Sequence, residues 1–251
     1  MLTNYEILEE IGQGKFGKLY KGINKITKEE VAIKIETKTT KLLKRETEIY
    51  LLLAKEEGFP RVKWYGTTET FHYMVITLLG LPLTELKTRC DVIPSIVIRR
   101  LGKKMVRLVE KVHNYQIIHR DIKPDNFLFD KVNFDELYLI DFGLAKSYKN
   151  VNNTHIIEKG IDDIIGTLPF VSLNVHERKL PSRRDDLESV LYVLYFLMIP
   201  SKDWPSKNEE LFKRQLLETI NPLNDGLKYV RGLSYDEDPL YNKLIEFIET
   251  I

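Results

Sequence analysis

An aspartate, a lysine, an asparagine and a second aspartate fall close together in I-H-R-D-I-K-P-D-N-F-L-F and the following L-Y-L-I-D-F-G-L. Asp121 and Asp141 stand at the ends of two short hydrophobic runs that read as strands. Lys123 follows Asp121 by two residues and Asn126 follows it by five. These are the groups that phosphoryl transfer calls for. The phosphoryl group needs little covalent help, so such a site mainly positions a hydroxyl and neutralises charge. Asp121 can accept the hydroxyl proton and orient the nucleophile. Lys123 can offset charge on the phosphoryl oxygens. Asn126 and Asp141 are hard oxygen ligands, which suit magnesium. H-R-D or D-F-G alone would be a weak signal; the lysine and asparagine in place, with D-F-G after them, make the run specific.

Other elements must bring a phosphate donor to these groups. Residues 5–35 read as strands and turns, with glycines at 12, 14 and 17 in I-G-Q-G-K-F-G-K-L. Glycine lets backbone amides approach phosphate without a Cβ clash, and Phe16 can cap the loop tip. A plain hairpin turn explains the same glycines equally well. A dinucleotide fold does not, because Leu19 and Tyr20 continue a strand where that fold opens a helix. V-A-I-K, Val31 to Lys34, alternates like a strand and turns Lys34 inward, towards the α- and β-phosphates. Lys34 needs an acidic partner from the helix predicted over residues 41–54. Glu46 and Glu48 cannot both face it, since i and i+2 point to different sides. Glu46 shares its face with Tyr50, Ile49 and Leu53, so Glu46 is the choice.

Residues 62–79 read as two strands. Ile76 is placed at the back of an adenine pocket, with Thr77, Leu78 and Leu79 offering backbone groups to the adenine edge. Gly80 and Pro82 then break the strand. Residues 94–115 carry apolar side chains at helical spacing, and His113 reads as a surface or helix-end residue. His119 and Phe142 read as packing beneath the site. Residues 145–179 are polar and weakly periodic, and a loop this long is usually functional. Within it, Thr167 can hydrogen-bond Asp121 and Lys123. S-R-R-D-D-L-E-S, from Ser182, opens a strongly apolar helix. There Asp186 can brace the catalytic loop, and Arg183 and Arg184 read equally as solvated charge or as an anion site. Two further helices are predicted over 209–220 and 239–250, joined by turn-rich sequence.

Composition sets the bounds. A chain of 251 residues can bury a sizeable core as one large domain or two lobes. A net charge of +1 excludes a strongly basic nucleic-acid binder on bulk charge. The one cysteine, Cys90, cannot form an internal disulfide, which points to a reducing compartment. The N-terminus lacks the apolar core of a signal peptide. The longest apolar run, Val190 to Ile199, is about half a membrane span and reads as a buried helix.

On I-G-Q-G-K-F-G, V-A-I-K, H-R-D-I-K-P-D-N and D-F-G the sequence resembles the protein kinase superfamily. Within it, K-P-D-N-F-L-F, I-D-F-G-L-A-K, G-T-L-P-F-V-S-L-N-V-H and S-R-R-D-D-L-E-S resemble the casein kinase I family. The similarity is strong from about residue 5 to 197 and weakens afterwards. It implies an α+β, two-lobed kinase fold: an N-lobe over 1–80, with an antiparallel sheet and helix C, and a mostly helical C-lobe over 81–251. It implies ATP and Mg2+ as cofactors, with Asp121, Lys123, Lys34 and Glu46 catalytic and Asn126 and Asp141 on the metal. The nucleotide site would take Ile11, Gly12, Gln13, Gly14, Lys15, Phe16, Gly17, Lys18, Leu19, Ala32, Lys34, Ile76, Leu79 and Leu128. Lys123 matches serine/threonine rather than tyrosine kinases. Family members are usually active without activation-loop phosphorylation and favour acidic or phosphorylated protein sites. Thr167 and Arg183 match the substrate and anion positions.

The sequence also departs from the family. After the K-R-Q run, Leu216 stands where the family has a lysine of the anion cluster. Thr77 replaces an acid at the hinge, residues 216–232 are shortened, and the expectation is a kinase without a C-terminal regulatory tail. The expectation is a compact, constitutive, monomeric kinase of cytoplasm or nucleus, with no membrane or stable nucleic-acid partner. A catalytically inactive scaffold is the alternative, disfavoured because Lys34, Glu46, Asp121, Asn126 and Asp141 are all present. A small-molecule phosphotransferase is disfavoured by the intact G-T and S-L-N segments.

Overall fold

The described residues of 5–35 fold as the strand pattern predicts. In the computed structural model, which describes residues 4–14, 17–39, 41–219 and 221–251, β1 (Tyr5–Gly14), β2 (Gly17–Asn24) and β3 (Glu30–Thr37) form consecutive antiparallel pairs. β4 (Val62–Thr67) and β5 (Phe71–Thr77) complete a five-stranded sheet of order β1-β2-β3-β5-β4. Tyr5, Val31, Ile33 and Val75 make its buried core. β-branched residues dominate that set and suit a pleated, half-covered surface. Gly17 is fixed by packing: a Cβ there would lie 2.2 Å from the carbonyl oxygen of Ile35.

α1 (Leu42–Leu52) packs on β4 and β5. Leu43, Glu46, Thr47, Ile49 and Tyr50 form its buried stripe, and Glu48 lies on the exposed face. Its N-terminus has no side-chain cap from Lys41. The buried carboxylate of Glu36 serves instead, accepting the Leu43 N–H at 3.0 Å. This satisfies a donor that an isolated helix leaves open. These elements, with β8 (Leu137–Leu139) and all of β7 (Phe127–Phe129) but its first residue, belong to a first unit made of residues up to Leu81 together with Leu128–Gly143. The segment 128–143 thus joins the first unit from far along the chain.

The second unit, Pro82–Phe127 with Leu144–Ile251, is mostly helical. It holds α2 (Leu83–Arg89), α3 (Ser95–Asn114), α4 (Leu173–His176), α5 (Arg183–Met198), α6 (Glu209–Gln215), α7 (Asn224–Gly232) and α8 (Tyr241–Glu249). β6 (Ile117–Ile118) pairs with β9 (Lys146–Ser147). α5 is its axis, with Val190, Leu191, Tyr192, Val193 and Leu194 all buried and α3 and α7 packed against it. Full burial of each such side chain stabilises by about 1.5–3 kcal/mol. The helix predicted over 209–220 stops at Gln215, and that over 239–250 spans Tyr241–Glu249. α7 lies where only turns are predicted. Its Asn, Asp and Gly disfavour a helix locally, but Leu227 and Val230 are buried and Gly226 lies against Leu191 and Leu244. Among the described residues no helix is long and apolar enough to cross a membrane.

The Glu36 cap predicts that Glu36→Ala destabilises the first unit by about 1–2 kcal/mol, with Glu36→Gln losing less because an acceptor remains. Urea unfolding followed by circular dichroism checks both; equal losses would show that the hydrogen bond is not what matters.

Candidate active site

In the first unit three sequence-predicted residues meet. Lys34 Nζ donates to Glu46 Oε2 at 2.8 Å and to Asp141 Oδ1 at 3.0 Å. β3 delivers the lysine, α1 the glutamate, and the turn after β8 the aspartate. Burial opposes the charge on Lys34, but Glu46 and Asp141 outweigh it and hold its pKa above the usual lysine value. Burial raises the Glu46 carboxyl despite Lys34. Asp141 adopts a left-handed backbone, φ 65°. Its N–H donates to the hydroxyl of buried Tyr50 at 2.9 Å, and Phe142 is wedged edge-on against the Tyr50 ring and tilted against Phe59. Such a conformation costs a non-glycine residue about 1–3 kcal/mol, so these contacts must hold it.

The strand residues called for nucleotide binding lie in the same unit. Ile11, Gly12, Gln13 and Gly14 end β1, and Gly17, Lys18 and Leu19 begin β2. Lys15 and Phe16 lie outside the described residues. A Cβ at Gly12 or Gly14 would meet only ordinary contacts, so packing does not demand glycine at either. Lys18 is paired with Glu10 at 2.8 Å. Ala32 and Ile76 are direct cross-strand partners and both buried. Gly80 donates to the Phe129 carbonyl and Phe129 to that of Leu81, both at 2.9 Å, which ties the end of the Leu79 segment to the strand carrying Leu128.

The second unit assembles the other group. Asp121 is buried. Its Oδ1 accepts the Thr167 hydroxyl at 2.7 Å, and its Oδ2 lies 2.8 Å from Lys123 Nζ. Lys123 also donates to Thr167 Oγ1 at 3.2 Å. Asn126 Nδ2 donates to the Asp121 carbonyl at 2.8 Å and to Oδ2 at 3.3 Å. The Asn126 amide nitrogen is thereby committed, and its oxygen is the group it can offer a metal. Gly166 places Thr167: its φ is +108°, and a Cβ would lie 2.6 Å from the Arg120 carbonyl oxygen.

Asp186, at the start of α5, holds the backbone before Asp121. It accepts the N–H of His119 at 2.7 Å and of Arg120 at 2.8 Å, the latter at φ 68°. His113 is a correction to the surface reading. It is buried, with Nε2 3.0 Å from Asp186 Oδ2 and Nδ1 2.8 Å from the Tyr241 hydroxyl. The reason is that the end of α3 packs under the catalytic loop. Periodicity alone cannot tell a buried helix end from an exposed one. Asp186 already accepts two N–H groups, so the network assigns the proton to Nε2 and lets Nδ1 accept from Tyr241. Burial lowers the His113 pKa. Burial alone would raise Asp186, but His113, His119 and the Arg120 N–H outweigh it and lower it.

Arg183, read as an anion-site residue, has its guanidinium occupied within the unit. It pairs with Asp238, donates to the Asp236 carbonyl at 2.7 Å, and lies 4.4 Å from the Tyr148 ring centre. Arg184 pairs with Glu158 at 2.9 Å. Leu216 is buried core, so that position offers no charge.

The family model for the protein kinase domain matches residues 5–249. The chain belongs to the protein kinase family. The antiparallel sheet with its helix and the mostly helical second unit agree with the two-lobed kinase fold. Protein kinases are phosphotransferases that use ATP and Mg2+ in general. Each unit holds a hard oxygen group of the kind such a metal takes: the half-exposed Asp141 carboxylate in the first and the Asn126 amide in the second.

Because the folded kinase binds a proton at His113 less readily than the unfolded chain does, the contribution of neutral His113 is complete above about pH 6.5 and falls away as pH drops below it. The thermal midpoint is expected to decline from pH 7 to pH 5 more steeply in the wild type than in His113→Asn. Parallel pH profiles of melting would overturn this assignment.

Proposed function

We propose that the chain is a serine/threonine protein kinase of the casein kinase I type, a monomer acting in cytoplasm or nucleus without an activating phosphate in residues 145–179. The observation that carries this reading is the set of contacts on Asp121. One carboxylate faces a hydroxyl donor, an ammonium and an amide. In this reading Asp121 orients the substrate hydroxyl and takes its proton. Lys123 offsets charge on the phosphoryl oxygens. Lys34, kept protonated by Glu46 and Asp141, binds the donor's phosphates. Asn126 and Asp141 would hold the magnesium, which supplies neutralisation of phosphate charge when bound.

The acidic or phosphorylated substrates implied by the resemblance would be read at Arg183. A substrate anion there must displace Asp238, whose side chain is 92% exposed and so free to leave.

Transfer from ATP–magnesium to serine, threonine and tyrosine peptides tests the reading. Serine and threonine peptides should be labelled and tyrosine peptides not. Asp121→Asn is expected to lower kcat by about 100-fold or more, with nucleotide binding retained. Lys34→Ala should lower transfer comparably. Labelling that survives Asp121→Asn would remove Asp121 as the base, and absence of all labelling with nucleotide bound would favour a scaffold.

A further inference from the structure

The turn that sets Thr167 against Asp121 is held from behind by one side chain. Gly166 bends the chain with its φ of +108°, and the N–H groups of Phe170 and Val171 donate to the Thr167 carbonyl at 2.8 Å and 3.1 Å. Those bonds close the turn but leave the carbonyls of Leu168 and Val171 to be satisfied from elsewhere. Lys213, fully buried on α6, supplies both. Its Nζ donates to the Leu168 carbonyl at 2.8 Å and to that of Val171 at 2.7 Å. Its third contact is His176 Nε2, on α4, at 3.1 Å.

Lys213 is itself fixed by two other helices. Arg231 of α7 donates from Nη2 to the Lys213 carbonyl and from Nε to Glu188 of α5, each at 2.9 Å. Lys213 Nζ lies 4.8 Å from the centre of the Tyr192 ring, whose hydroxyl also donates to Glu188. Burial pushes the Lys213 pKa down to about 7; Glu188, Glu209 and Glu210 oppose that shift and Arg231 adds to it. The hold on the turn survives in either charge state. An ammonium donates to all three acceptors. A neutral amine still donates to both carbonyls and accepts an N–H from His176 Nε2.

We propose that Lys213 is a positioning residue: by holding the carbonyls of Leu168 and Val171 it fixes the turn over 166–171, and through that turn the Thr167 hydroxyl on Asp121. It deepens the kinase reading above, and only its consequence for transfer rests on that reading. The lever is short, because Leu168 directly follows the residue that touches Asp121. Without Lys213 two carbonyls lose their donor at once, and the turn relieves this by swinging out to water. A lysine that only stabilised the fold would weaken the whole second unit. A positioning lysine loosens this turn and takes the transfer rate with it.

Hydrogen–deuterium exchange on the intact chain reads the turn without any need for turnover. Lys213→Met keeps the length of the side chain and removes its donors. In that variant the Phe170 and Val171 amides are expected to exchange about tenfold faster, with the amides of α3 and α5 unchanged. Should it melt below the assay temperature, Lys213→Gln, which keeps an N–H donor, is read in the same way. Unchanged exchange at Phe170 and Val171, or equal acceleration throughout the second unit, overturns the role. A double-mutant cycle in transfer kinetics tests the route. Lys213→Met should lower kcat about tenfold with the KM for ATP unchanged. Thr167→Ala should lower kcat too, and the double variant should fall no further than the worse single one. Multiplicative losses overturn the route through Thr167. Absence of transfer in wild type and variants alike removes the kinase reading and leaves the exchange result to decide the role of Lys213.

Discussion

Asp186 is a carboxylate with almost no water around it, and its two oxygens receive the backbone N–H groups of His119 and Arg120 and the ring of His113. Arg120 needs that restraint, because its φ of 68° is unfavourable for a side chain with a Cβ. The conformation of this one residue aims Asp121 at Thr167 and Lys123. Removing one partner from a buried, hydrogen-bonded charge costs about 3–5 kcal/mol. The apolar mass of α5 carries Asp186, and the end of α3 supplies His113, so the core of the second unit and the Asp121 carboxylate form one mechanical unit.

The first unit meets a comparable problem differently. Lys34 is a half-buried ammonium that two carboxylates from distant parts of the chain must share. Glu46 reaches it because α1 packs its buried stripe on the sheet, and α1 starts where Glu36 caps it. Asp141 reaches it because Tyr50, one turn beyond Glu46 on the same face, accepts its N–H. A single helix face thus aligns both acids.

The charges of the second unit show how local pairing can redirect a surface. The chain holds 38 lysines and arginines against 37 acids. Arg183, Arg184 and Arg214 each meet a carboxylate, and Lys213 is buried against carbonyls. Most of these cations therefore already have a partner within the unit.

Much of this was legible in the residues themselves. The period-two pattern around Val31, the helical spacing after Pro94 and the i, i+4 relation of Glu46 and Tyr50 depend only on backbone geometry, so they fixed the sheet, α3 and the choice of Glu46 over Glu48. The spacing of Asp121, Lys123 and Asn126 likewise brought these three side chains together, since those contacts close over five residues. Other features depended on partners remote in sequence. His113 looked like a helix end open to water until Asp186 and Tyr241 enclosed it. α7 looked like a turn until Leu191 and Leu244 gave its glycine face something to pack on. The pairing of Arg183 with Asp238, 55 residues on, was likewise beyond what its neighbours could show. Local geometry is written in neighbouring residues, whereas burial and charge pairing are settled only when the folded chain decides which distant groups share a low-dielectric space.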